Sequence, residues 1–394
     1  MSTARDLVSF TKDFVRSSER FVRDYTSGMR ARDLRRLFDR DAAQAYDVLA
    51  RDQTSKPEPK NDFRRFWYRV RVVFLGLSYR LTPARRALFA GSMLFLLAGL
   101  LGIDLWLGSE IRIGLRVFWF LLSILSLVFL LALELVDRIR VRDELQVARE
   151  LQSDLLPRSI PDLKGYQIAH AYRTANEVGG DYYDISLLAD DRLAVLVGDA
   201  SGHGMAAGLL MAIANATLKL AMDLDPEPSK VLSLLNRTLC RTGGKRAFMS
   251  IFYALLEPQS GSMVYSCAGH PFPLLRRAGG EIEELGTGGF PLGLRSNLEF
   301  STQTTRIEPG DLLVLFSDGI PEGTNRAGDS FGYDRLRELV AVPGTPLAVH
   351  ERIIMAFDEH LEEESLRDDF SLVVLGRSAL ETDESPVPPP PPPA

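Results

Sequence analysis

Two long apolar runs divide the chain into an N-terminal and a C-terminal part. The first, residues 87–107, carries one charge, at Asp104, and the second, residues 113–135, carries charges only at Arg116 and Glu134. At 1.5 Å per residue, each run would span roughly 31–35 Å as a helix, which matches the hydrocarbon core of a bilayer. The pattern therefore predicts a transmembrane helical hairpin with a loop of about five residues between its helices.

Arginines flank this hairpin on both outer sides. A buried hairpin in a water-soluble protein is the alternative, but both segments are apolar on every face, which favours lipid. Because basic residues accumulate on the cytoplasmic side of membrane helices, we expect a multi-pass protein of the inner (cytoplasmic) membrane with its C-terminal part in the cytoplasm. The flanking residues are Arg80, Arg85 and Arg86 before the hairpin, and Arg138, Arg140 and Arg142 after it.

The rest of the chain shows four further patterns. Residues 1–80 have the spacing of short amphipathic helices, a cytoplasmic region of unknown role. Residues 139–156 predict a linker helix, and residues 157–378 alternate short β-like runs with glycine-rich turns and a few helices. Residues 379–394 include six consecutive prolines, which predict an extended, disordered tail. The linker has a heptad-like seam through which we expect a homodimer, although two heptads are few: Val141, Leu145, Ala148, Gln152 and Leu155.

Composition and charge exclude several classes of protein. An apolar content of 46% is too high for a disordered chain, and Cys240 and Cys267 are too few for a disulfide framework or a cysteine-rich metal site. The net charge of −6 gives no reason to expect nucleic acid as a partner. That charge is uneven, because residues 1–86 hold 20 lysines and arginines against 11 acidic residues.

Carboxylates recur at the ends of apolar runs in the C-terminal part. Such runs are typical of strands buried on both faces, and an Asp-Gly pair at a strand end can be an ordinary turn. The repetition of the pattern favours a shared site instead. The runs are Leu193–Val197, followed by Asp199; Leu312–Phe316, followed by Asp318; and Phe370–Leu375, preceded by Asp368 and Asp369; a further acidic pair, Asp181 and Asp184, follows two glycines.

Converging carboxylates beside a core need positive charge. Repulsion would raise their pKa values, and bound divalent cations remove that cost. Oxygen ligands with few histidines and no cysteines favour Mg²⁺ or Mn²⁺ over zinc. Two such ions can activate water against a phosphorus atom and neutralise the phosphate oxygens.

Several ordered motifs extend this pattern over much of the chain. Together they resemble the metal-dependent PPM-type (protein phosphatase 2C-like) serine/threonine phosphatases, in particular their bacterial SpoIIE/RsbU branch, from about Ala148 to Gly376. The motifs are Ala148-Arg149-Glu150-Leu151-Gln152 with Leu155-Leu156-Pro157, Val178 to Asp184, Gly198 to Gly204, Ala268-Gly269-His270-Pro271, Pro291-Leu292-Gly293, Phe316 to Gly319, and Asp368 to Ser371.

The resemblance implies a fold and a ligand set. The fold is an α/β sandwich of two mostly antiparallel sheets flanked by helices, which holds two divalent cations, Mn²⁺ or Mg²⁺, at one edge. The implied roles are Asp199 as the bridging ligand, Ala200 as a ligand through its carbonyl, Asp318 and Asp368 as one ligand to each ion, Asp181 as the early acidic ligand with Asp184 as its substitute, and Asp369 as a residue that orients the others.

Two histidines and three departures from the family qualify this assignment. His203 is either a general acid for the leaving alkoxide or a structural residue of its glycine-rich turn, and His270 reads as a turn residue that closes a hairpin. Cys267 and Ile320-Pro321 replace residues common in relatives, and we read both as packing changes. The phosphate-binding arginine of eukaryotic relatives has no clear counterpart.

These features predict a membrane-anchored phosphoserine/phosphothreonine protein phosphatase. The resemblance implies a phosphorylated anti-anti-sigma-type (STAS-domain) protein as its substrate in a partner-switching circuit. The alternatives are a catalytically silent module that binds a phosphoprotein, and a membrane receptor that uses the same fold for oligomerisation.

Overall fold

The computed structural model describes residues 46, 50, 61–103, 105–107, 111–157, 159–202, 204–242, 247–362, 364 and 366–378. Most of the predicted N-terminal helical region and the proline-rich tail therefore lie outside the described residues, as does His203. The chain divides into two compact units, Met1–Arg138 and Ile139–Ala394, which are taken in turn below.

The first unit contains the helices of the predicted hairpin. The described elements of this unit are α1 (Asp62–Arg80), α2 (Pro83–Leu101), β1 (Leu105–Leu107), β2 (Ile111–Ile113) and α3 (Arg116–Leu155), which continues into the second unit. Helices α2 and α3 are long and apolar enough to cross a membrane, and only 11% of the most apolar 18-residue stretch of each is buried.

The turn of the hairpin differs from the expectation. The sequence predicted helix up to Leu107 and again from Ile113, but β1 and β2 form an antiparallel pair there, with Leu105 opposite Ile113. The physical reason is Gly102, which ends α2 in the left-handed conformation (φ 65°) while its N–H bonds back to the helix. Each helix is therefore shorter at the turn than the apolar run that predicted it.

Polar atoms join α2 to α3. The hydroxyl of Ser123 donates to the carbonyl of Ser92 (2.9 Å), and both serines are 1% exposed. Near the arginine-rich ends, the Arg85 guanidinium reaches Glu134 (2.8 Å) and Asp137 (2.7 Å). Small and hydroxyl-bearing residues at such a contact are typical of helix pairs in lipid.

The second unit is a four-layered α/β sandwich, as predicted. Its elements are β3 (Tyr166–Arg173), β4 (Asp181–Leu187), β5 (Leu193–Ala200), α4 (Met205–Leu224), α5 (Pro228–Thr242), β6 (Met249–Leu256), β7 (Ser262–Ala268), β8 (Leu274–Arg276), β9 (Ile282–Glu284), β10 (Gln303–Arg306), β11 (Leu312–Phe316), α6 (Tyr333–Ala341), α7 (Pro346–Leu361) and β12 (Phe370–Arg377). One five-stranded antiparallel sheet has the order β10-β7-β6-β5-β4, and the other has the order β3-β12-β11-β8-β9.

Three apolar layers hold these elements together. One lies between the two sheets and includes Val197 and Leu315. Another joins the first sheet to α4 and α5, and the third joins the second sheet to α6 and α7. Since β5 is covered by a sheet on one face and helices on the other, its apolar residues are all buried, which explains its unbroken apolar run. Helix α4 is also apolar enough to span a membrane, but 44% of its most apolar 18-residue stretch is buried in the unit.

One local prediction is wrong, and the structure bears on a second. His270 does not close a hairpin, because β7 belongs to the first sheet and β8 to the second, so the segment between them crosses from sheet to sheet. The heptad-like seam of the linker is partly used within the chain: Gln152 is 5% exposed and bonds Gly179, and Leu155 packs on the core beside α4.

Candidate metal centre

The first pair of carboxylates is positioned by the register of β4 and β5. Asp181 lies directly opposite Asp199 in this antiparallel pair. Side chains two residues apart on a strand point to the same face, and Tyr183 and Val197 lie in the core between the sheets. Asp181, two residues before Tyr183, and Asp199, two residues after Val197, therefore belong to the face that meets the second sheet. The pair therefore lies at the edge of the sandwich, where β5 ends and β4 begins.

The second sheet contacts Asp181 through two serine hydroxyls. Ser317 and Ser371 both donate to Oδ2 of Asp181, at 2.5 and 2.7 Å. Ser317 comes directly after β11 and precedes Asp318, and Ser371 is the second residue of β12. Asp181 is 1% exposed, so these hydroxyls replace water around its carboxylate and fix its orientation.

Asp369 ties the second sheet back to the first. One of its oxygens accepts from the N–H of Ala175 (2.6 Å) and the other from the N–H of Gly180 (2.5 Å). Both oxygens are thus occupied by backbone donors, which supports the predicted role of orienting its neighbours. Gly319 fits here because a Cβ on it would overlap the carbonyl of Asp369.

The electrostatics of the edge disfavour several bare carboxylates. Burial, with the repulsion of Asp181 added to it, raises the pKa of Asp199 to about 9. Burial also raises the pKa of Asp181 to about 7, although its two serine partners act in the opposite direction. The pKa of Asp318 is raised by burial and by Glu322 and Asp368. These carboxyls are close enough to repel one another, so positive charge would stabilise the edge.

The donor set fits a hard divalent cation, although the cage is not preassembled. Within the described residues, no three His, Cys, Asp or Glu side chains are grouped closely enough to hold one ion. Asp199 and Asp318 are nevertheless part-exposed and Asp368 is exposed, so their carboxylates can rearrange around an ion. The carbonyl of Ala200 lies beside Gly180, 2.8 Å from the position a Cβ there would take, which keeps that approach open only to glycine.

Asp184 lies on the opposite face of β4 and does not join this cluster. Its Oδ2 accepts from Lys219 Nζ (2.6 Å) and from the Tyr182 hydroxyl (2.9 Å), and its Oδ1 accepts from Ser186 (2.5 Å). With 3% exposure it is a buried ion-pair partner. The suggestion that it substitutes for Asp181 is therefore wrong, because residues three apart on a strand point to opposite faces.

Sequence reasoning named Gln152 and His270 but missed the contacts that they make near the edge. Gln152 donates to the carbonyl of Gly179 (2.6 Å) and accepts from its N–H (3.0 Å). These two hydrogen bonds fix the segment before Asp181 to the end of α3. A glutamine within an apolar seam was the available signal. His270 is buried and bonds Ser250 (2.8 Å), and burial lowers its pKa to about 3, so it is neutral.

Comparisons with known proteins agree with this architecture. The family model of stage II sporulation protein E (SpoIIE) matches residues 189–378. Protein IcfG of Synechocystis sp. is 26% identical in an alignment of 277 residues, and the match covers 63% of this chain and 44% of IcfG. Phosphoserine phosphatase RsbU of Bacillus subtilis is 29% identical over 244 residues, 60% of this chain and 71% of RsbU. The chain thus spans less than half the length of one relative and about two thirds of the other.

A solved structure has the same fold. The SiaA-PP2C domain of Pseudomonas aeruginosa superposes with a TM-score of 0.53 at 19% identity, and the match covers 61% of this chain and 98% of that domain. The match extends over the two antiparallel sheets and the helices that flank them. Residues 189–378 of this chain are therefore similar to the SpoIIE family model, and the second unit has the PP2C fold.

Proposed function

We propose that this chain is a metal-dependent phosphoserine/phosphothreonine protein phosphatase anchored in the cytoplasmic membrane. The observation that carries the proposal is the meeting of two sheets at one acidic edge. Asp181 and Asp199 face each other across β4 and β5, and Asp318 and Asp368 come from the adjoining ends of β11 and β12. RsbU, a relative by sequence, is named a phosphoserine phosphatase.

The residues of the edge divide into ligands and supports. Asp199, Asp181, Asp318, Asp368 and the Ala200 carbonyl would hold two cations, Mn²⁺ or Mg²⁺. Bound there, the cations would supply Lewis-acid activation of water and charge neutralisation of the phosphate.

The chain itself orients this set. Ser317 and Ser371 fix the carboxylate of Asp181, and Asp369 fixes the backbone at Gly180. The role of His203 as a general acid stays a prediction.

The finer parts of the proposal concern the partner and the location. The substrate we favour is a phosphorylated STAS-domain regulator, on the strength of the resemblance to the SpoIIE/RsbU branch. The apolar hairpin of α2 and α3, flanked by arginines, supports a membrane anchor with the phosphatase domain in the cytoplasm. A homodimer through the linker helix would use its exposed apolar residues, such as Val147 and Leu151, since Gln152 and Leu155 are already engaged.

A phosphatase assay on the full chain in lipid nanodiscs tests the activity. We expect turnover of a phosphoserine protein with Mn²⁺, its loss with EDTA, and a decrease on the order of 10²–10³ in Asp199→Asn, as for other preorganised electrostatic groups. Asp223→Asn, an exposed aspartate of α4, is the matched control and should keep full activity. No metal-dependent turnover would favour the silent binding module, and full activity of Asp199→Asn would refute the site.

A further inference from the structure

Helix α1 carries an exposed apolar face that the phosphatase proposal does not use. Its members recur at spacings of three and four residues, so they lie on a single side of the helix. We name this side the aromatic ridge, and its residues and exposed fractions are Phe63 (72%), Phe66 (59%), Trp67 (55%), Val70 (40%), Phe74 (40%) and Leu77 (45%).

The C-terminal end of α1 is fixed to the start of α2. Only Leu81 and Thr82 separate the two helices. The guanidinium of Arg86 donates to the carbonyl of Ser78 (2.9 Å), and the rings of Phe74 and Phe89 lie 5.3 Å apart. If α2 enters the bilayer at its first turns, the C-terminal end of α1 must therefore lie at the membrane surface.

The charges of α1 complement an anionic surface. The helix contains five arginines and one acidic residue, Asp62. At 100° per residue, Arg64 and Arg71 fall on one flank of the aromatic ridge, and Arg69 and Arg80 on the other. Long arginine side chains on the flanks of an apolar face can reach phosphate groups while the face enters the acyl region.

Helix α1 does not have the composition of a spanning helix. Among the described helices, those apolar enough to cross a membrane are α2, α3 and α4, and α1 is not one of them. A second copy is a poor partner for the ridge because its own row of arginines would face those of the first. An amphipathic, arginine-rich helix with exposed Trp and Phe is instead typical of the membrane interface.

We propose that α1 lies in the cytoplasmic leaflet, with the aromatic ridge at the boundary of headgroups and acyl chains and its flanking arginines on anionic phospholipids. This inference rests on the proposed membrane anchor. It adds a second membrane contact to that of the hairpin, and the strength of this second contact depends on the charge of the lipid.

Fluorescence of Trp67 in the reconstituted full chain tests the proposal. The chain has three tryptophans, so Trp106→Phe with Trp119→Phe leaves Trp67 as the only reporter. In phosphatidylcholine vesicles containing phosphatidylglycerol, we expect brominated acyl chains to quench Trp67 and iodide to leave it unquenched. Each arginine near an anionic surface is worth about fivefold in partitioning, so Arg64→Glu with Arg71→Glu should weaken the quenching by lipid.

Controls separate this inference from the anchor on which it rests. Arg237→Glu with Arg326→Glu makes the same charge change at exposed residues of the second unit and should leave the quenching intact. Resistance to carbonate extraction reports the hairpin, so a chain that is extracted refutes the anchor. A chain that resists extraction while iodide quenches Trp67 refutes the inference alone. Shielding of Trp67 from both quenchers would also overturn it, because protein would then cover the ridge.

Discussion

The contact between Gln152 and Gly179 gives a specific prediction about how the acidic edge of the sandwich is supported. Gln152→Leu keeps the approximate volume of the side chain but removes a donor and an acceptor. The N–H and the carbonyl of Gly179, now bonded at 3.0 and 2.6 Å, would both lose their partner in a buried site. Gly180, the next residue, donates to Asp369, so the loss is felt one residue from the carboxylate cluster.

The size of the effect follows from the two orphaned groups. An unsatisfied buried donor or acceptor costs about 1–3 kcal/mol. The end of α3 can relax to admit water to one of them, so we expect the segment before Asp181 to be destabilised by about 2–4 kcal/mol. Because 1.4 kcal/mol is a factor of ten in an equilibrium constant, this corresponds to a roughly 30- to 1,000-fold larger population of the open segment.

Hydrogen exchange measured by mass spectrometry is the appropriate assay, because a chain of two units need not unfold in one step. Peptides covering residues 175–184 should exchange faster in Gln152→Leu, and phosphatase activity should fall. Gln146→Leu is the matched control, since Gln146 is an exposed glutamine on the same helix. Unchanged exchange at residues 175–184 would refute the view that Gln152 holds this segment.

Three further predictions address other parts of the second unit. In metal-free protein, burial raises the pKa of Asp199 to about 9, so the native state keeps a proton that the unfolded carboxyl releases near pH 4. Thermal stability should therefore decrease as the pH rises from about 4 to 9, and calorimetry should find a flatter profile in Asp199→Asn; equal slopes would contradict the assignment. Lys219→Met should destabilise the domain by about 1–3 kcal/mol in chemical denaturation, because Asp184 stays buried without its ammonium partner, and adding Asp184→Asn should recover part of the loss. Gly319→Ala should abolish most activity while circular dichroism stays native, since its Cβ would displace the carbonyl of Asp369; an active variant would argue against a tightly packed edge.

The fold was accessible from the sequence because its strands and motifs obey local rules. Strand β5, for example, is buried along its whole apolar stretch, as an unbroken run of such residues predicts. The carboxylates were recognisable because each stands at the end of such a run. The family motifs then supplied the pairing of sheets, which periodicity alone does not contain.

What sequence reasoning missed depends on which way a side chain or a strand points and on hydrogen-bond partners far away in the sequence. Strand parity separates Asp181 from Asp184, but only the register with β5 shows which of the two faces Asp199. The path through His270 looked like a hairpin because the chain bends at Gly269, yet the next strand joins the other sheet. Gln152 satisfies a backbone 27 residues away, a partner that no local pattern identifies.

The hydrogen bonds at the acidic edge cross between the sheets in both directions. Asp181 of the first sheet accepts from Ser317 and Ser371 of the second, and Asp369 of the second accepts from Gly180 of the first. Closing the sandwich at this edge therefore builds the site, but it also buries Asp199 and brings like charges beside it, and both effects raise the pKa of this carboxyl. Cations bound between the sheets would relieve that repulsion only when both sheets are in place. The binding of metal and the closure of this edge are thus linked, and each should favour the other.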